Sequence, residues 1–470
     1  MSIGKSSIKV IGLCVAAVIV AVGYFLPESE GLTHEGILSI AILVGCVLLW
    51  ICESLPMGVA GLLALVAGPL LGLVPIASAF TGFGTTTFIF AVAVFGLTAI
   101  VMKSDLATRI TKVMVSWSGA SSNKLILAFM AATALLSTVM NDSAVLVLFL
   151  GFAYIVLGSA KHTIGKSRLA KSLFIGIAFA AFIGGGITPA GSSLNVLVIG
   201  MIEQATGNTV PFLSWMVACG PVCIVMIPIC WFAIIKILKP EPIDESALVD
   251  LNEKAAALGK KLSLEEKKTL VFLIGMPVLW IVGTWVPLLN VTTVCIIGLA
   301  AMTAPGIGVL TFDEFQKSVP WTICIMIGAV LSLGGMVSAT GGVMYLANLF
   351  LNTGVTSLGV FGSLLVIFLV IYFAHTLIPI GPAFAALFTP PLMAFCIASG
   401  VSPAVPGMVL AIILSGSLLV PFNPGMALAY RDNCFTPLDL FKTGIIPALI
   451  FLVLLSAWVP FASNLLQIAM

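Results

Sequence analysis

Charged residues are scarce in this chain of 470 residues. Lys and Arg number 20, Asp and Glu 18, and His 3, so that only 8 % of the residues are charged whereas 60 % are hydrophobic. A soluble domain carries about 25 % charged residues, so the composition excludes an ordinary soluble enzyme and indicates a protein of the lipid bilayer. The formal net charge of +2 is small and spread among loops, which argues against nucleic-acid binding.

Clustered metal-ligating and nucleophilic side chains are also lacking. The three His are far apart, at His34, His162 and His375, which argues against a membrane-embedded enzyme with a convergent catalytic set. The closest pair of the ten Cys, Cys219 and Cys223, has helical spacing and indicates packing rather than a disulfide or a metal site. We therefore predict no catalytic residue and no cofactor apart from sodium ions. For His375 we predict a hydrogen-bonded packing role.

Long apolar runs fill most of the chain. They predict membrane spans, amphipathic segments and longer stretches that contain breaks. The spans are 10–26, 36–52, 57–76, 88–102, 212–237, 269–288, 292–309, 320–338 and 444–463, the amphipathic segments are 104–118 and 340–353, and the broken stretches are 123–158, 169–200, 358–398 and 404–430. The first run lacks a small-residue cleavage site, so a retained first helix is predicted rather than a signal peptide.

Helix-breaking polar segments interrupt the broken stretches at corresponding places in the two halves. They are Asn141-Asp142-Ser143, Thr188–Asn195, Ile380-Gly381-Pro382 and Pro421–Met426. Irregular backbone at membrane depth is tolerated where it is buried in protein or lines an aqueous cavity. Helix N-termini at such breaks bind anions without Lys or Arg, and unwound carbonyls suit Na⁺. The alternative is that Gly, Ser and Pro only kink and pack the helices, but the repeated order of breaks favours a binding site.

The breaks supply the predicted substrate-binding residues. These are Asn141, Asp142, Ser143, Ser192, Ser193, Asn195, Gly381, Pro382, Ala383 and Asn423. A carboxylate in the middle of a bilayer costs about 2.5–3.5 kcal/mol on insertion scales, so Asp142 is interpreted as a ligand of a cation or a proton. The alternative role for Asp142 is an N-cap of the helix that follows, and both roles are compatible. Arg431 and Asp432 are interpreted as a local interfacial pair.

The two halves of the chain repeat one order of elements. Each contains spans, an amphipathic segment, a broken hairpin, a broken helix and a last helix, and the spacing of Pro211, Trp215 and Pro221 recurs at Pro437, Phe441 and Pro447. The loop just before residue 169 and the loop 239–268 are rich in Lys and Arg, which predicts that both loops lie on the cytoplasmic side. The N-terminus is then inside and the C-terminus outside, which inverts the halves. We predict an all-α polytopic membrane protein built of two inverted repeats with re-entrant hairpins.

These motifs resemble the divalent anion:sodium symporter family, which includes sodium-independent dicarboxylate exchangers. The first tip, Met140-Asn141-Asp142, keeps the Asn of the family's Ser-Asn-Thr tips, and the break Thr188–Asn195 keeps the family's Gly and Asn. The segments Tyr372–His375 and Pro437–Gly444 are also similar to the family. The second tip departs from the pattern, because Ile380-Gly381-Pro382 has neither an Asn nor a hydroxyl.

The resemblance implies a homodimeric elevator transporter in the bacterial cytoplasmic membrane. Residues 1–119 and 266–355 would form the scaffold, 120–238 and 356–470 the moving transport domain, and 239–265 a cytoplasmic linker. By the same resemblance Asn141 and Gly191 would help hold one sodium ion beside Asp142. Thr376 would lie where a second sodium ion binds.

The expected activity is secondary transport of a small organic anion, by sodium symport or by anion exchange. A dicarboxylate is the family default. Because the second tip is apolar and Asp142 repels anions unless it is protonated or bound to sodium, a monocarboxylate or a sulfonate is the alternative substrate. A proton-coupled exporter or antiporter of the arsenite-permease type remains an alternative, since its tips read Asn-Asp. A channel and a membrane-embedded enzyme are remoter alternatives.

Overall fold

The architecture of the protein is known from a computed structural model, which describes residues 5–119, 121–159, 165–242, 261–352, 354–430 and 434–469. Outside an isolated bridge between Ser29 and Leu32, these residues contain helices and no β-strand. The α-helices of the first half are α1 (Lys5–Phe25), α2 (His34–Ile51), α3 (Met57–Leu70), α4 (Thr86–Ala93), α5 (Phe95–Lys103), α6 (Leu106–Ser118), α7 (Ser122–Ser137), α8 (Asp142–Ser159), α9 (Arg168–Gly185), α10 (Ser193–Thr206) and α11 (Phe212–Leu238).

The helices of the second half follow a similar order. They are α12 (Leu264–Val282), α13 (Val291–Thr303), α14 (Phe312–Ser318), α15 (Trp321–Ala339), α16 (Gly342–Leu351), α17 (Gly359–Leu377), α18 (Gly381–Ala398), α19 (Ala404–Ser415), α20 (Pro424–Tyr430) and α21 (Pro437–Leu465). The amphipathic segments form α6 and α16, the hairpins α7–α8 and α17–α18, and the broken helices α9–α10 and α19–α20. The last helices, α11 and α21, pack against each other, and the Trp458 indole N–H donates to the Val217 carbonyl at 3.2 Å.

Long apolar helices make this a multi-pass integral membrane protein. In the described part of the chain, nine helical segments are long and apolar enough to cross a membrane, namely α1, α2, α4 with α5, α9, α11, α15, α17, α18 and α21. Their outer surfaces carry large apolar side chains such as Val18, Ile224 and Phe232, each more than half exposed. An outer surface of this kind matches lipid rather than water.

Three of the four helix breaks lie where the sequence predicts them, and the fourth begins earlier than predicted. The first hairpin turns between Ser137 and Asp142, and the second between Leu377 and Gly381. The prediction that the last break begins at Pro421 is wrong, because α19 already ends at Ser415. A Cβ atom on Gly416 would lie 2.2 Å from Cδ2 of Phe182, so only glycine fits where the chain leaves the helix.

Ion pairs join helix ends that are distant in sequence. Arg109 in α6 binds Glu266 at the start of α12, with 3.0 Å between Nη2 and Oε2, and Glu266 also closes a capping box with Ser263. The hydrogen bond from Arg109 lowers the pKa of Glu266. Lys171 in α9 binds Asp439 in α21 at 2.8 Å. Both pairs tie the first half of the chain to the second.

Candidate functional site

The first hairpin tip is built from backbone donors and short polar side chains. The Ser143 N–H donates to Asn141 Oδ1 at 3.2 Å and to Asp142 Oδ1 at 2.6 Å. Asn141 therefore has the capping role that the sequence analysis considered for Asp142. The Asn141 N–H donates to the Thr98 hydroxyl of α5 at 3.3 Å. The tip thus touches a helix of the segment 1–119.

The Asp142 carboxylate is buried against the first break. Its side chain is 4 % exposed, and a Cβ atom on Gly185 would lie 3.4 Å from Asp142 Oδ2. The hydroxyls of Ser143 and Ser192 bond to this carboxylate. None of the ion pairs among the described residues includes Asp142. A buried carboxylate without a cationic side chain requires a bound cation or a proton.

Oxygen atoms gather around Gly185 and Gly191 at the first break. Asn195 Nδ2 donates to the carbonyls of Gly185 and Thr188 at 2.7 and 2.8 Å, which fixes the orientation of the amide. A Cβ atom on Gly191 would lie 2.3 Å from the Ser137 carbonyl and 2.4 Å from the Gly185 carbonyl. Only glycine permits this approach of three backbone segments.

Two buried oxygens in this neighbourhood have no hydrogen-bond partner. Asn195 Oδ1 and Ser137 Oγ are enclosed and unpaired, although buried polar atoms in proteins are nearly always bonded. Asn195 and Ser137 belong to the same tip and break as the Asp142 carboxylate and the Gly185 carbonyl, and oxygen atoms of these kinds are ligands that Na⁺ uses. Among the described residues no group of three or more His, Cys, Asp or Glu is close enough to hold a metal ion.

The polar residues of tip and break face a closed pocket. Asn141, Ser192 and Ser193 line it together with Phe95 of α5 and Ile327 of α15. Its volume is about 10 Å³, which is about the room that one water molecule needs. A pocket of this size is too small to hold a small organic anion.

Two residues of the second half, Ser415 and Gly381, lie beside the first break. The hydroxyls of Ser192 and Ser415 lie 3.1 Å apart. A Cβ atom on Gly381 would lie 2.7 Å from the Leu414 carbonyl and 2.9 Å from Leu194 Cδ1. The sequence analysis missed Ser415, although the run Ser415-Gly416-Ser417 was a signal for an earlier break.

The other predicted residues of the second half have local partners. The Thr376 hydroxyl donates to the Tyr372 carbonyl one turn earlier at 2.8 Å. Asn423 Oδ1 accepts from the Gly425 N–H at 2.9 Å, at the start of α20. Pro382 and Ala383 begin α18, where Ala383 is fully buried. No hydrogen bond of the described residues joins Thr376 or Asn423 to the first tip. Arg431 and Asp432 lie outside the described residues.

The surroundings of His375 agree only in part with the hydrogen-bonded packing role predicted for it. Its ring is buried and packs edge-on against Phe384, with 5.6 Å between the ring centroids. Neither ring nitrogen has a hydrogen-bond partner among the described residues, so the structure bears out the packing but not the predicted hydrogen bond. The neighbouring Tyr372 hydroxyl accepts from the Leu418 N–H at 3.1 Å and so stabilises the break between α19 and α20.

Comparison of the sequence with known proteins gives one family and several relatives. The family described as the sodium:sulfate symporter transmembrane region matches residues 7–465. A membrane protein of Cupriavidus necator is 26 % identical over 442 residues, which are 88 % of this chain and 84 % of that protein. The sodium-dependent dicarboxylate transporter SdcS of Staphylococcus saprophyticus is 24 % identical over 360 residues, 71 % of this chain and 68 % of that transporter.

Two solved structures share the fold over almost the whole chain. The YdaH transporter of Alcanivorax borkumensis has a TM-score of 0.55 at 13 % identity and covers 97 % of both chains. MtrF of Neisseria gonorrhoeae, which belongs to a class of antimetabolite efflux pumps, has a TM-score of 0.56 at 14 % identity and covers 98 % of this chain and 95 % of its own. At these identities the likeness concerns the fold alone. It confirms the predicted all-α polytopic architecture.

Proposed function

Because the chain belongs to the sodium:sulfate symporter family, which is the divalent anion:sodium symporter family expected from its motifs, we propose that it couples sodium to the uptake of a small organic anion. The chain is a secondary transporter and not an enzyme, and its relative SdcS is named a sodium-dependent dicarboxylate transporter. The substrate, the coupling ion and the movement are the parts of the proposal that the experiments below address.

The observation that carries the proposal is the buried oxygen set of the first break. Asp142 has no cationic partner in the described part of the chain, and Asn195 Oδ1 and Ser137 Oγ are enclosed without hydrogen bonds. A sodium ion bound there beside Asn141 and Gly191 would neutralise the carboxylate and use the free acceptors. An anion would then be attracted to a site that otherwise repels it, which couples the two ligands. Thr376 remains the candidate for a second sodium ion.

The anion site itself is proposed at the N-termini of α8 and α10. Ser143 and Ser193 lie in the first turns of these helices and Ser192 directly precedes α10, where helix dipoles favour negative charge. An anion bound there would exchange hydrogen bonds with the Ser143 and Ser192 groups that now bond to Asp142 and Ser415. The second tip offers only Gly381, Pro382 and Ala383, with Asn423 at the following break. An anionic head at the first tip and a less polar tail at the second describe the substrate, so a monocarboxylate or sulfonate is proposed beside the dicarboxylate of the family.

An elevator movement is proposed from the closed pocket. Asn141 and Ser192 share a pocket of about 10 Å³ with Phe95 and Ile327. For substrate release, 120–238 and 356–470 are proposed to move as a transport domain against a scaffold of 1–119 and 266–355. The linker 239–265, the homodimer, the cytoplasmic membrane of a bacterium, and the N-inside, C-outside orientation belong to the same proposal.

Uptake into proteoliposomes tests the proposal. Labelled succinate, butyrate and propanesulfonate would be offered to empty and preloaded vesicles with and without a sodium gradient. Sodium-dependent uptake into empty vesicles is expected, and Asp142→Asn is expected to abolish its sodium dependence while the exposed control Asp105→Asn keeps it. Uptake only into preloaded vesicles would make the protein an exchanger instead.

The buried Asp142 also favours a second candidate, proton coupling of the arsenite-permease type. In that case a pH gradient would drive transport without sodium, and Asp142→Asn would remove the effect of the pH gradient. Measuring the same uptake with a pH gradient and no sodium distinguishes the two coupling ions.

A further inference from the structure

A hydroxyl of the proposed scaffold bonds to the backbone of the first tip. The Asn141 N–H donates to the Thr98 hydroxyl of α5 at 3.3 Å, and Thr98 is only 7 % exposed. Asn141 belongs to the proposed transport domain and Thr98 to the proposed scaffold. The hydrogen bond therefore crosses the boundary between the two, and a movement of the transport domain has to break it.

Thr98 uses its hydroxyl differently from other buried threonines of this protein. A threonine inside a helix commonly bonds to a carbonyl of the preceding turn of the same helix. The Thr111 hydroxyl donates in this way to the Ala107 carbonyl at 2.8 Å, and the Thr133 hydroxyl to the Phe129 carbonyl at 2.7 Å. In the part of the chain that the structure describes, Thr98 forms no such bond, and its oxygen accepts from the tip.

The rest of the scaffold wall beside the tip is apolar. Apart from Thr98, the described scaffold residues that line the closed pocket of the tip are Ala91, Val94, Phe95 and Ile327. None of these side chains accepts a hydrogen bond. When the tip slides along this wall, the Asn141 N–H loses Thr98 and meets no side chain that replaces it. A movement without substrate therefore costs one hydrogen bond.

We propose, in an inference that rests on the proposed function, that the Thr98 hydroxyl stands where an oxygen atom of the transported anion binds, and so holds an unloaded tip against the scaffold. An anion at the start of α8 accepts the Asn141 N–H in place of Thr98, since negative charge is favoured at this end of a helix. The hydrogen bond is then exchanged rather than lost, and the loaded domain moves. A transport domain that holds sodium alone keeps the bond to Thr98 and stays. Thr98 is thus a positioning residue that couples the movement to the anion.

Sodium flux through proteoliposomes tests the role of Thr98. Efflux of radioactive sodium is measured with and without the anion, among succinate, butyrate and propanesulfonate, that the unaltered protein takes up. For the unaltered protein, efflux is expected to be slow without the anion and fast with it. Thr98→Val keeps the shape of the side chain but removes the acceptor. It is expected to raise anion-free efflux by about two- to tenfold and to lower the KM for anion uptake by a similar factor. Thr98→Ser keeps a hydroxyl and is expected to behave like the unaltered protein.

Thr87→Val is the matched control. The Thr87 hydroxyl also crosses the proposed boundary, where it donates to Glu203 Oε2 at 3.3 Å, but Thr87 is not among the described residues that line the pocket of the tip. Loss of this contact is expected to change sodium efflux by the same factor with and without the anion, and to leave the KM unchanged. The control thus separates a general loosening of the boundary from the exchange of one acceptor at the tip.

Two results would overturn the role of Thr98 while the proposed function stands. In the first, sodium drives uptake by the unaltered protein, but Thr98→Val has the same KM and the same anion-free efflux. In the second, Thr98→Ser and Thr98→Val change both quantities equally, which shows that the hydroxyl has no part in the effect. If Thr98→Val does not fold, Thr98→Ala takes its place in the comparison with Thr98→Ser.

Failure of the proposed function is read from the unaltered protein alone. If it exchanges anions without sodium, the proposed coupling is wrong, and efflux of labelled anion into anion-free buffer replaces sodium efflux as the measurement. Faster efflux by Thr98→Val then still supports the role of Thr98, and equal efflux overturns it. If the unaltered protein takes up none of the three anions, both the proposed function and the role of Thr98 are overturned.

Discussion

The first break is held at the residue scale by the Asn195 side chain. Its amide donates to the carbonyls of Gly185 and Thr188, the last residues before the short turn Pro189–Gly191 that leads into α10. Its Oδ1 atom is enclosed without a partner. One side chain therefore shapes the unwound backbone and presents an oxygen to the proposed sodium site.

Asn195→Leu, which keeps the branch at Cγ but has no hydrogen-bonding group, is expected to impair both roles. The free energy of unfolding should fall by about 1–3 kcal/mol for each carbonyl left unpaired. Sodium activation of uptake should shift to higher sodium concentration. Both are measured against Asn208→Leu, an exposed position just beyond α10. A stable Asn195→Leu protein with unchanged sodium activation would exclude Asn195 from the cation site.

The hydroxyls of Ser192 and Ser415 form the contact between the two breaks, and a double-mutant cycle measures it. A single hydrogen bond contributes about 0.5–1.5 kcal/mol. Ser192→Ala and Ser415→Ala should therefore each destabilise the protein, and the double variant should lose less than their sum by that amount. Ser193→Ala combined with Ser415→Ala is the control, and its effects should add. Additive effects for the first pair would show that the 3.1 Å contact contributes nothing.

At the scale of helices, local composition predicts most of the fold. Gly, Pro and Asn mark the two tips and the first break, because these residues disrupt helices wherever they occur. The end of α19 was predicted too late although Ser415-Gly416-Ser417 is a local signal of a break. The reason that Gly416 must be glycine is remote in sequence, because the Phe182 ring of α9 lies beside it. The partner of Ser415, Ser192, is likewise in the other half of the chain.

The site is predictable only where function depends on backbone breaks. Asn141, Asp142 and Gly191, predicted as sodium ligands, and Asn195, predicted as a substrate ligand, belong to the same tip and break, and their binding roles stay predictions. Asn423 instead accepts a hydrogen bond from its own turn. A short polar side chain at a helix start bonds its own backbone or a ligand, and spacing in the sequence does not distinguish these two uses.

The short helix α14 provides a prediction on pH. Glu314 caps it with Thr311 and pairs with Lys103 of α5 at 2.8 Å. The hydrogen bond from Lys103 is the main cause that lowers the pKa of Glu314 from 4.5 to about 2. Since the folded pKa lies below the unfolded one, the stabilisation is complete above pH 4.5 and is lost as the pH falls towards 2.

Glu314→Gln should accordingly lower the unfolding temperature at pH 6, and the difference from the unaltered protein should shrink on acidification to pH 3. Salt should reduce the difference as well, because both side chains are partly exposed, 38 % for Lys103 and 41 % for Glu314. Asp313→Asn on the same helix is the control. A difference that stays constant between pH 6 and pH 3 would contradict the assigned ion pair.

At the scale of the whole molecule, α10 is the helix through which the proposed movement is best tested. It belongs to the proposed transport domain and packs against α4 and α15 of the proposed scaffold. A Cβ atom on Gly335 of α15 would lie 2.5 Å from Nε2 of Gln204. A sliding transport domain must break this contact in every cycle.

Joining Gln204 to Gly335 should therefore stop transport. With Cys14 and Cys52 replaced by Ser, because these are the cysteines of the described chain that are not buried, Gln204→Cys and Gly335→Cys would be joined by a short bifunctional thiol reagent. Uptake should fall to the level of protein-free vesicles and return on reduction. Gly68→Cys with Met336→Cys, whose positions meet within the proposed scaffold at 2.6 Å, should be joined without loss of uptake. If the linked Gln204–Gly335 protein still transports, α10 and α15 remain together through the cycle. The moving unit must then be smaller than 120–238 with 356–470, for example the hairpin α7–α8 alone.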